Sequence, residues 1–395
     1  MVVDAGEVAD QPGDPGRATE DSSSSVRQPE EAEEIHEAIG VWVTRWDFKN
    51  AQEIETIMAQ AASAGFNQVY FQVRGAADAY YKSSYEPWAA PLSGKLGKNP
   101  GWDPLKVAVE AAHQNKLELH AWINVATAWK GKTPPGRSKP MHLMRTHPEW
   151  RVAKKNRRPM PYNDGYIFFN PILPGFVTHL EGVVAELASF YAIDGLHLDY
   201  CRYPSAEVSY DKQARRMYKK ARQKEKNLTR ADWQRRELAR VVGRLSKKIR
   251  EANPRVQVSA AVTGIYQDRW NWGSVTQGYH DFFQDSHLWA QNKAVDALIP
   301  MIYWPPTKPQ GRRTDFATLA QDFTSLGGHV TLLAGINVEA GDLSVLRNEV
   351  TIARWNGYHG VVLFSWELLK QRGWLGRLKS EVFGLAVPKE QVSIR

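Results

Sequence analysis

A regular alternation of short apolar segments and amphipathic segments constrains the fold of this chain more than any other feature. The apolar segments have the length and patterning of β-strands, and the segments between them have helical periodicity. Eight predicted strands cover residues 40–45, 68–74, 118–124, 195–200, 257–264, 297–304, 330–339 and 360–367. Six predicted helices cover residues 51–64, 103–115, 174–192, 233–252, 316–326 and 343–356. Eight strands separated by helices over roughly 340 residues predict a (β/α)8 TIM barrel. A doubly wound sheet is disfavoured because no G-x-G-x-x-G motif follows the first strand.

Residues 1–37 differ in composition from the rest of the chain. They are rich in Asp, Glu, Ser, Pro and Gly, and they cannot bury enough apolar surface to offset the entropy of ordering. We therefore predict a disordered acidic tail over residues 1–37, a barrel over residues 38–385 and a C-terminal tail over residues 386–395. Eleven acids and two arginines give the first segment a charge of −9, which leaves +17 on the remainder of a chain with net charge +8. A body this basic favours an acidic polymer as its partner.

Several classes of protein are disfavoured by what the sequence lacks. Cys201 is the only cysteine, so neither an internal disulfide nor a cysteine-based zinc site can form. The first strand lacks a His-x-His pair, and His120, His197 and Asp199 alone make a weak ligand set, so we predict no metal and no cofactor. A nucleic-acid binder is indicated only by charge, without a recognisable motif. No apolar run approaches the roughly 20 residues of a membrane span, and the N-terminus lacks the apolar core of a signal peptide. These features favour either a cytoplasmic location or a leader missing from this sequence.

Polar and aromatic side chains stand where the predicted strands end. The carboxyl ends of parallel barrel strands meet at one end of the barrel, here called the mouth, so these scattered residues are expected to form one site. Flat aromatic rings beside hydrogen-bonding groups suit the apolar faces and hydroxyl edges of sugars. The predicted substrate-binding residues are Arg45, Trp46, Arg74, Asp78, Tyr80, His120, Trp122, Asn124, His197, Arg202, Tyr303, Trp304 and Trp366. For any single aromatic residue, ordinary core packing is the alternative.

The stretch DGLHLDYCRYP, residues 194–204, contains the first catalytic candidate. Asp199 follows a buried-strand pattern, and a carboxylate at this end of a parallel strand points into the mouth, where such folds place their chemistry. The alternative is that Asp199 pairs with Arg202 and only closes the loop.

Two connections of the predicted barrel are unusually long. Residues 129–169 are too many for a bare connector and predict a lid or wall beside the substrate. Residues 205–250 are densely basic, which is typical of a solvated helical face or of an electrostatic rim that attracts an acidic polymer.

Six motifs occur in the order in which a known family has them. They are GVWVTR (40–45), FQVRGAADAYYKSSYEPW (71–88), GWDPLKVAVEAAH (101–113) with LHAWIN (119–124), FNPILPG (169–175), DGLHLDYCRYP and IPMIYW (299–304). On these residues the chain resembles bacterial glycosyl hydrolase-like family 10, a group of TIM-barrel proteins, from about residue 39 to residue 370. The resemblance implies glycoside hydrolysis, with peptidoglycan glycan strands as the substrate and the cell envelope or the exterior as the location. It also places Asp199 on the family's fourth-strand acid.

The chain departs from the family pattern beside that acid. Many members carry a second Asp where this chain has Tyr200, yet glycoside cleavage usually needs two carboxyl groups. The predicted partners are Glu367 first, then Glu339, with Asp78 as a further possibility. Arg45, Arg74 and Arg202 are expected either to hold carboxylates of an anionic glycan or to pair with Asp78, Asp199 and Glu367. A catalytically inactive, carbohydrate-binding barrel is the alternative function, and the oligomeric state is left open.

Overall fold

The computed structural model describes residues 37–306, 314–339 and 341–385. The predicted tails lie outside these residues, except for Glu37. That residue belongs to the barrel rather than to the tail, because its carboxylate accepts two hydrogen bonds of 2.8 Å from the Arg354 guanidinium.

Eight parallel strands close into a barrel, which confirms the predicted fold. In chain order the strands are β1 (Ala38–Val43), β2 (Gln68–Arg74), β3 (Glu118–Asn124), β4 (Thr127–Gly131), β5 (Asn163–Phe168), β6 (Gly195–Asp199), β7 (Gln257–Thr263), β8 (Ala297–Met301), β9 (Thr331–Asn337) and β10 (Gly360–Phe364). The barrel order is β1-β10-β9-β8-β7-β6-β3-β2. Strands β4 and β5 form a separate antiparallel pair, which the sequence analysis did not predict. The pair begins two residues before the long connection of residues 129–169 and otherwise lies within it.

Helices occupy the connections between the strands. They are α1 (Ala51–Ser63), α2 (Pro104–Gln114), α3 (Leu143–Thr146), α4 (Pro174–Phe190), α5 (Lys212–Lys224), α6 (Arg230–Ala252), α7 (Gly278–Asp281), α8 (Ser286–Gln291), α9 (Phe316–Phe323), α10 (Leu343–Trp355), α11 (Trp366–Gln371) and α12 (Leu375–Leu378). All six predicted helices are present. The helix predicted from residue 233 begins at Arg230 because the Thr229 side chain caps it, accepting the Asp232 backbone N–H.

Six strands end earlier than the sequence pattern indicates, and two of them end three residues earlier. Strand β8 ends at Met301 and β10 ends at Phe364, each three residues before the predicted end. The apolar run after β8 continues as loop, which carries Tyr303 and Trp304 to the mouth. The run after β10 continues as helix α11, and it buries Trp366 in the core.

The barrel interior is filled by side chains of alternate strand residues. Trp42, Tyr70 and Trp122 pack there with Ile299, Leu333 and Val362. A larger apolar core lies between the strands and the helices. The interior is therefore a solid plug beneath the mouth, as the layered packing of this fold requires.

Gly195 has a packing role in the plug. A Cβ atom added to this residue would lie 2.0 Å from Nδ1 of His120 on the neighbouring strand. His120 is in register with Gly195 and packs against Tyr70, with ring centroids 4.7 Å apart and ring planes tilted by 30°. The glycine of the DGLHLD segment thus makes room for the imidazole of His120.

Candidate active site

A cavity of about 480 Å³ opens at the mouth of the barrel. Residues from seven barrel strands, or from the loops that directly follow them, and from the β4–β5 pair line it. The lining residues are Thr44, Arg45, Trp46, Gln72, Trp122, Tyr166, Asp199, Tyr200, Arg202, Thr263, Gly264, Met301, Tyr303, Trp304 and Phe364. Seven of the predicted site residues therefore meet in one place: Arg45, Trp46, Trp122, Asp199, Arg202, Tyr303 and Trp304.

Asp199 is the one acid among the described residues that line this cavity. It ends β6, it is only 7% exposed, and its Oδ1 accepts a 2.6 Å hydrogen bond from the backbone N–H of Tyr200. Burial raises the pKa of Asp199, although the charge of Arg202, the Tyr200 N–H and the Trp122 indole act to lower it. A carboxyl group with a raised pKa in a buried pocket is typical of a catalytic acid, base or nucleophile.

Tyr200 adopts a left-handed backbone conformation, with φ of 49°, directly after Asp199. Residues other than glycine rarely take this conformation, and it is found disproportionately at functional sites. The turn directs the Tyr200 N–H to the Asp199 carboxylate and puts the Tyr200 ring in the cavity wall. The sequence offered one signal for this residue, namely that it replaces the acid that many family members carry.

Arg202 acts on Asp199 through its charge rather than through a direct ion pair. Its guanidinium lies over the rings of Tyr200 and Phe282, 4.9 and 4.5 Å from their centroids. No ion pair within 4 Å joins it to Asp199 in the described part of the chain. The alternative, in which Asp199 only closes the loop by pairing with Arg202, requires an ion pair that is not formed between these two residues.

Another wall of the cavity is built around Arg45. Its guanidinium donates hydrogen bonds to Oε1 of Gln72 at 2.9 Å and to the hydroxyl of Tyr166 at 2.7 Å, and it lies 4.4 Å from the Trp46 ring centroid. Trp46 is 56% exposed, so one face of its indole is open to a ligand. Tyr166 belongs to β5, so the long connection supplies a wall of the cavity as predicted.

Two tyrosine hydroxyls near Asp199 keep their protons at neutral pH. Burial, and then the Asp199 charge, raises the pKa of Tyr200 to about 12 and that of Tyr303 well above its usual value. Tyr303 also stacks on Phe364 with centroids 6.0 Å apart. Both hydroxyls are therefore available as hydrogen-bond donors to a sugar.

Other predicted site residues lie away from the cavity. Arg74 is fully buried, and Nε and Nη2 donate 2.8 Å hydrogen bonds to the two carboxylate oxygens of Glu86. It therefore holds the β2 loop rather than a substrate. Trp366 is 1% exposed in the core between strands and helices, which corrects its assignment as a sugar-stacking residue.

The two predicted histidines lie below the mouth, within the plug. His197 is the inward-facing residue of β6 that comes before Asp199. Its Nε2 accepts a 3.1 Å hydrogen bond from the Trp42 indole, and its Nδ1 lies 2.9 Å from Oγ of Ser259. Burial lowers the pKa of His197 well below its usual value, so the ring is neutral. His120 lies one position deeper, in register with Gly195. Neither ring is exposed to a ligand.

Three further predicted residues surround the cavity without lining it. Asn124 is buried, where its Oδ1 accepts a 3.1 Å hydrogen bond from Nε2 of Gln72. Tyr80 packs edge-on against Phe48 in the core. Asp78 accepts the backbone N–H of Ala76 at 2.8 Å. Of these contacts, the one from Asn124 supports a wall residue, Gln72, from behind.

The predicted second carboxylates are outside the cavity. Glu367 begins α11, where it accepts a 3.1 Å hydrogen bond from Gln371 and lies 3.9 Å from Nζ of Lys370. Glu339 is exposed in the turn after β9. Their catalytic roles stay predictions that this placement does not favour.

Sequence reasoning missed Asp47, an acid at the rim. Its carboxylate accepts hydrogen bonds from the backbone N–H and the hydroxyl of Thr44, a lining residue, at 2.8 and 2.6 Å. Burial, with a contribution from Glu367, raises the pKa of Asp47 to about 6. Its position two residues beyond the predicted end of the first strand was the available signal.

The described residues contain no group of three or more His, Cys, Asp or Glu side chains placed to hold a metal ion. Within the same residues, no helix combines the length and the apolar character needed to cross a membrane.

Comparisons with known proteins agree with this architecture. The model of the family described as Glycosyl hydrolase-like 10 matches residues 37–346. The chain is 28% identical over 260 residues to glycosyl hydrolase YngK of Bacillus subtilis (strain 168), and this alignment covers 64% of this chain and 49% of YngK. It is 27% identical over 256 residues to glycosyl hydrolase DigH of Escherichia coli (strain K12), and this alignment covers 63% of this chain and 57% of DigH. The chain thus matches about half the length of these relatives.

Solved structures with the same fold include carbohydrate-active enzymes. The catalytic domain of β-amylase from Paenibacillus polymyxa superposes with a TM-score of 0.61 and 13% identity, covering 84% of this chain and 93% of that one. α-L-Fucosidase isoenzyme 2 from Paenibacillus thiaminolyticus superposes with a TM-score of 0.58 and 17% identity, covering 88% of this chain and 49% of that one. At such identities these likenesses confirm the barrel fold alone.

Proposed function

Because the chain belongs to the glycosyl hydrolase-like 10 family, we propose that it is a glycoside hydrolase that cleaves a polysaccharide with Asp199 as a catalytic carboxylate. The observation that carries this proposal is a buried acid with a raised pKa at the floor of an aromatic cavity. Exposed Trp46 and the rings of Trp304 and Tyr303 offer stacking surfaces for sugar rings, and the tyrosine hydroxyls offer donors for sugar oxygens.

Peptidoglycan glycan strands are the proposed substrate. Once its peptides are removed, such a strand carries a lactyl carboxylate on alternate sugars. Arg45 and Arg202 both line the cavity, and a guanidinium can hold a carboxylate through two hydrogen bonds. A substrate of this kind would place the protein in the cell envelope or outside the cell.

The test is to incubate the protein with purified peptidoglycan, both intact and stripped of peptides, and to identify the products by mass spectrometry. We expect Asp199→Asn to reduce turnover at least about a hundredfold with the fold retained, because the variant keeps the shape of the side chain but cannot exchange a proton or attack. Circular dichroism checks the fold. Near-normal turnover by Asp199→Asn would remove Asp199 from the mechanism.

A carbohydrate-binding barrel without turnover is the second candidate. It is favoured by the fact that Asp199 has no second acid beside it among the described lining residues. Binding of stripped glycan with unchanged chain length after prolonged incubation would establish this alternative, whereas new reducing ends would exclude it.

A further inference from the structure

The basic residues of helices α5 and α6 divide into two groups. On α6, several cations have acidic partners, among them Arg236 with Glu225, Arg244 with Glu181 and Arg250 with Asp296. Helix α5 carries seven cations and no acid, and none of the seven has an acidic group within ion-pair distance among the described residues. The charge of α5 is therefore left for a partner outside this fold.

A cavity of about 660 Å³ opens where α5 meets the start of α6. Five of its lining residues are cations, namely Arg215, Lys219, Arg222, Lys226 and Arg230, and none is an acid. The rings of Tyr210 and Tyr218 complete the wall. Concentrated positive charge beside aromatic rings is the chemistry that binds anionic groups on a sugar chain.

Two arginines of this cavity, Arg215 and Arg230, are half-buried. The Arg230 guanidinium lies 4.1 Å from the Tyr210 ring centroid and 5.1 Å from that of Tyr218, and it donates a hydrogen bond to the Ser209 carbonyl. In the described part of the chain, the buried Nε atoms of Arg215 and Arg230 have no hydrogen-bond partner. Both arginines also line the cavity, and a guanidinium can hold a carboxylate through two hydrogen bonds.

This second cavity is one loop away from the catalytic candidate. Residues 200–211 begin with Tyr200 and Arg202 in the wall of the mouth and continue to Tyr210 in the wall of the basic cavity. The loop is pinned to the long connection, since Tyr210 N–H donates to the Ala153 carbonyl at 3.0 Å. A polymer extending from the mouth along this loop would reach the basic cavity.

We propose that the α5–α6 cavity is an accessory site that binds the carboxylate groups of an anionic polysaccharide while another part of the same chain occupies the mouth over Asp199. This proposal rests on the proposed glycoside hydrolase function. A continuous chain joins the two sites only if the ligand is a long polymer, so the accessory site should favour long strands over short fragments.

The test compares two triple variants that remove the same charge. Lys219→Gln/Arg222→Gln/Lys226→Gln alters the exposed cations of the accessory site. Lys116→Gln/Arg255→Gln/Lys379→Gln is the matched control, because these three exposed cations lie on the side of the barrel opposite the mouth. Lys116 precedes β3, Arg255 precedes β7, and Lys379 lies against Gly65 just beyond the end of α1. The probes are long stripped peptidoglycan strands and the same strands with their carboxyl groups reduced to alcohols. Binding is measured in the Asp199→Asn background by fluorescence anisotropy, and turnover is measured with Asp199 intact.

We expect the accessory-site variant to bind carboxylated strands about tenfold more weakly, the effect of losing three exposed charge contacts. Its KM for long strands should rise with kcat unchanged, and both constants should stay unchanged for tetrasaccharides, which are too short to reach the second cavity. The control variant should bind and cleave like the unsubstituted protein.

Equal losses in the two triple variants would overturn the accessory site, as would an equal loss on carboxyl-reduced strands. A loss confined to duplex DNA or to phosphatidylglycerol vesicles, with glycan binding intact, would overturn it in favour of those partners. If the unsubstituted protein cleaves no glycan, the proposed function fails, and the anisotropy comparison still decides whether the accessory site exists.

Discussion

Asp199 and Arg202 show how one charge sets the chemistry of a neighbouring residue. The guanidinium is too far away for an ion pair, yet it lowers a pKa that burial raises. Arg202 and burial therefore act in opposite directions on the pKa of Asp199, and burial has the larger effect.

Changing Arg202 to Gln should reveal which role Asp199 has. Loss of the cation removes a stabilising influence on the carboxylate, so the pKa of Asp199 rises further. If Asp199 must be ionised as base or nucleophile, the acidic limb of the kcat profile moves to higher pH. If Asp199 must be protonated as general acid, the basic limb moves to higher pH instead. Arg255→Gln, far from the mouth, is the control, and an unmoved profile would show that Arg202 does not act on Asp199.

Asp47 is a candidate for the second carboxyl group, which the described lining of the cavity does not supply. Its hydrogen bonds to Thr44 hold it at the rim, and a pKa of about 6 suits a group that gives and takes a proton near neutrality. We expect Asp47→Asn to lower kcat at least about tenfold with KM little changed, and Glu367→Gln to stay within about twofold. Reducing-end assays measure both variants. The reverse order of effects would restore Glu367 as the partner.

At the scale of elements, the loop after β2 is fastened by a buried ion pair. Although burial acts to raise the pKa of Glu86, Arg74 and then His179 lower it to about 2. Arg74 also donates to the carbonyls of Asn124 and Val125, which ties the end of β2 to the end of β3. The Arg74–Glu86 pair therefore stabilises the loops at the mouth without lining the cavity.

Arg74→Gln should destabilise the fold instead of changing substrate preference. The substitution leaves Glu86 buried with only His179 as partner, and breaking a buried pair in this way costs about 3–5 kcal/mol. Urea denaturation at neutral pH measures the change, with the exposed Arg255→Gln as control. The double variant Arg74→Met/Glu86→Leu should recover much of the loss, because no unpaired charge remains. A stable Arg74→Gln with altered glycan selectivity would instead return Arg74 to the substrate site.

For the whole molecule, net charge should govern the encounter with the substrate. The chain has a net charge of +8, with unpaired cations concentrated on α5 and further cations in the mouth. We expect turnover of stripped, carboxylated glycan to fall as ionic strength passes about 0.1 M, where the Debye length is about 10 Å. Turnover of neutral chito-oligosaccharides should hardly change over that range. Equal salt dependence for both glycans, measured as kcat/KM, would contradict electrostatic selection.

The sequence alone determined the number of barrel strands, six of the twelve described helices and the position of Asp199 at the mouth. These follow from local periodicity and from the rule that the carboxyl ends of parallel strands share one end of the barrel. Tertiary structure decided which of the neighbouring polar residues can reach a ligand. His197 and Asp199 face the same side of β6, but Trp42 and Ser259 from other strands enclose His197 in the plug, whereas Asp199 lines the cavity. Arg74 and Arg45 look alike in sequence, and they differ because Glu86 meets one while Tyr166, from a strand pair more than a hundred residues away, meets the other. Such partners are set by long-range packing, which periodicity does not encode.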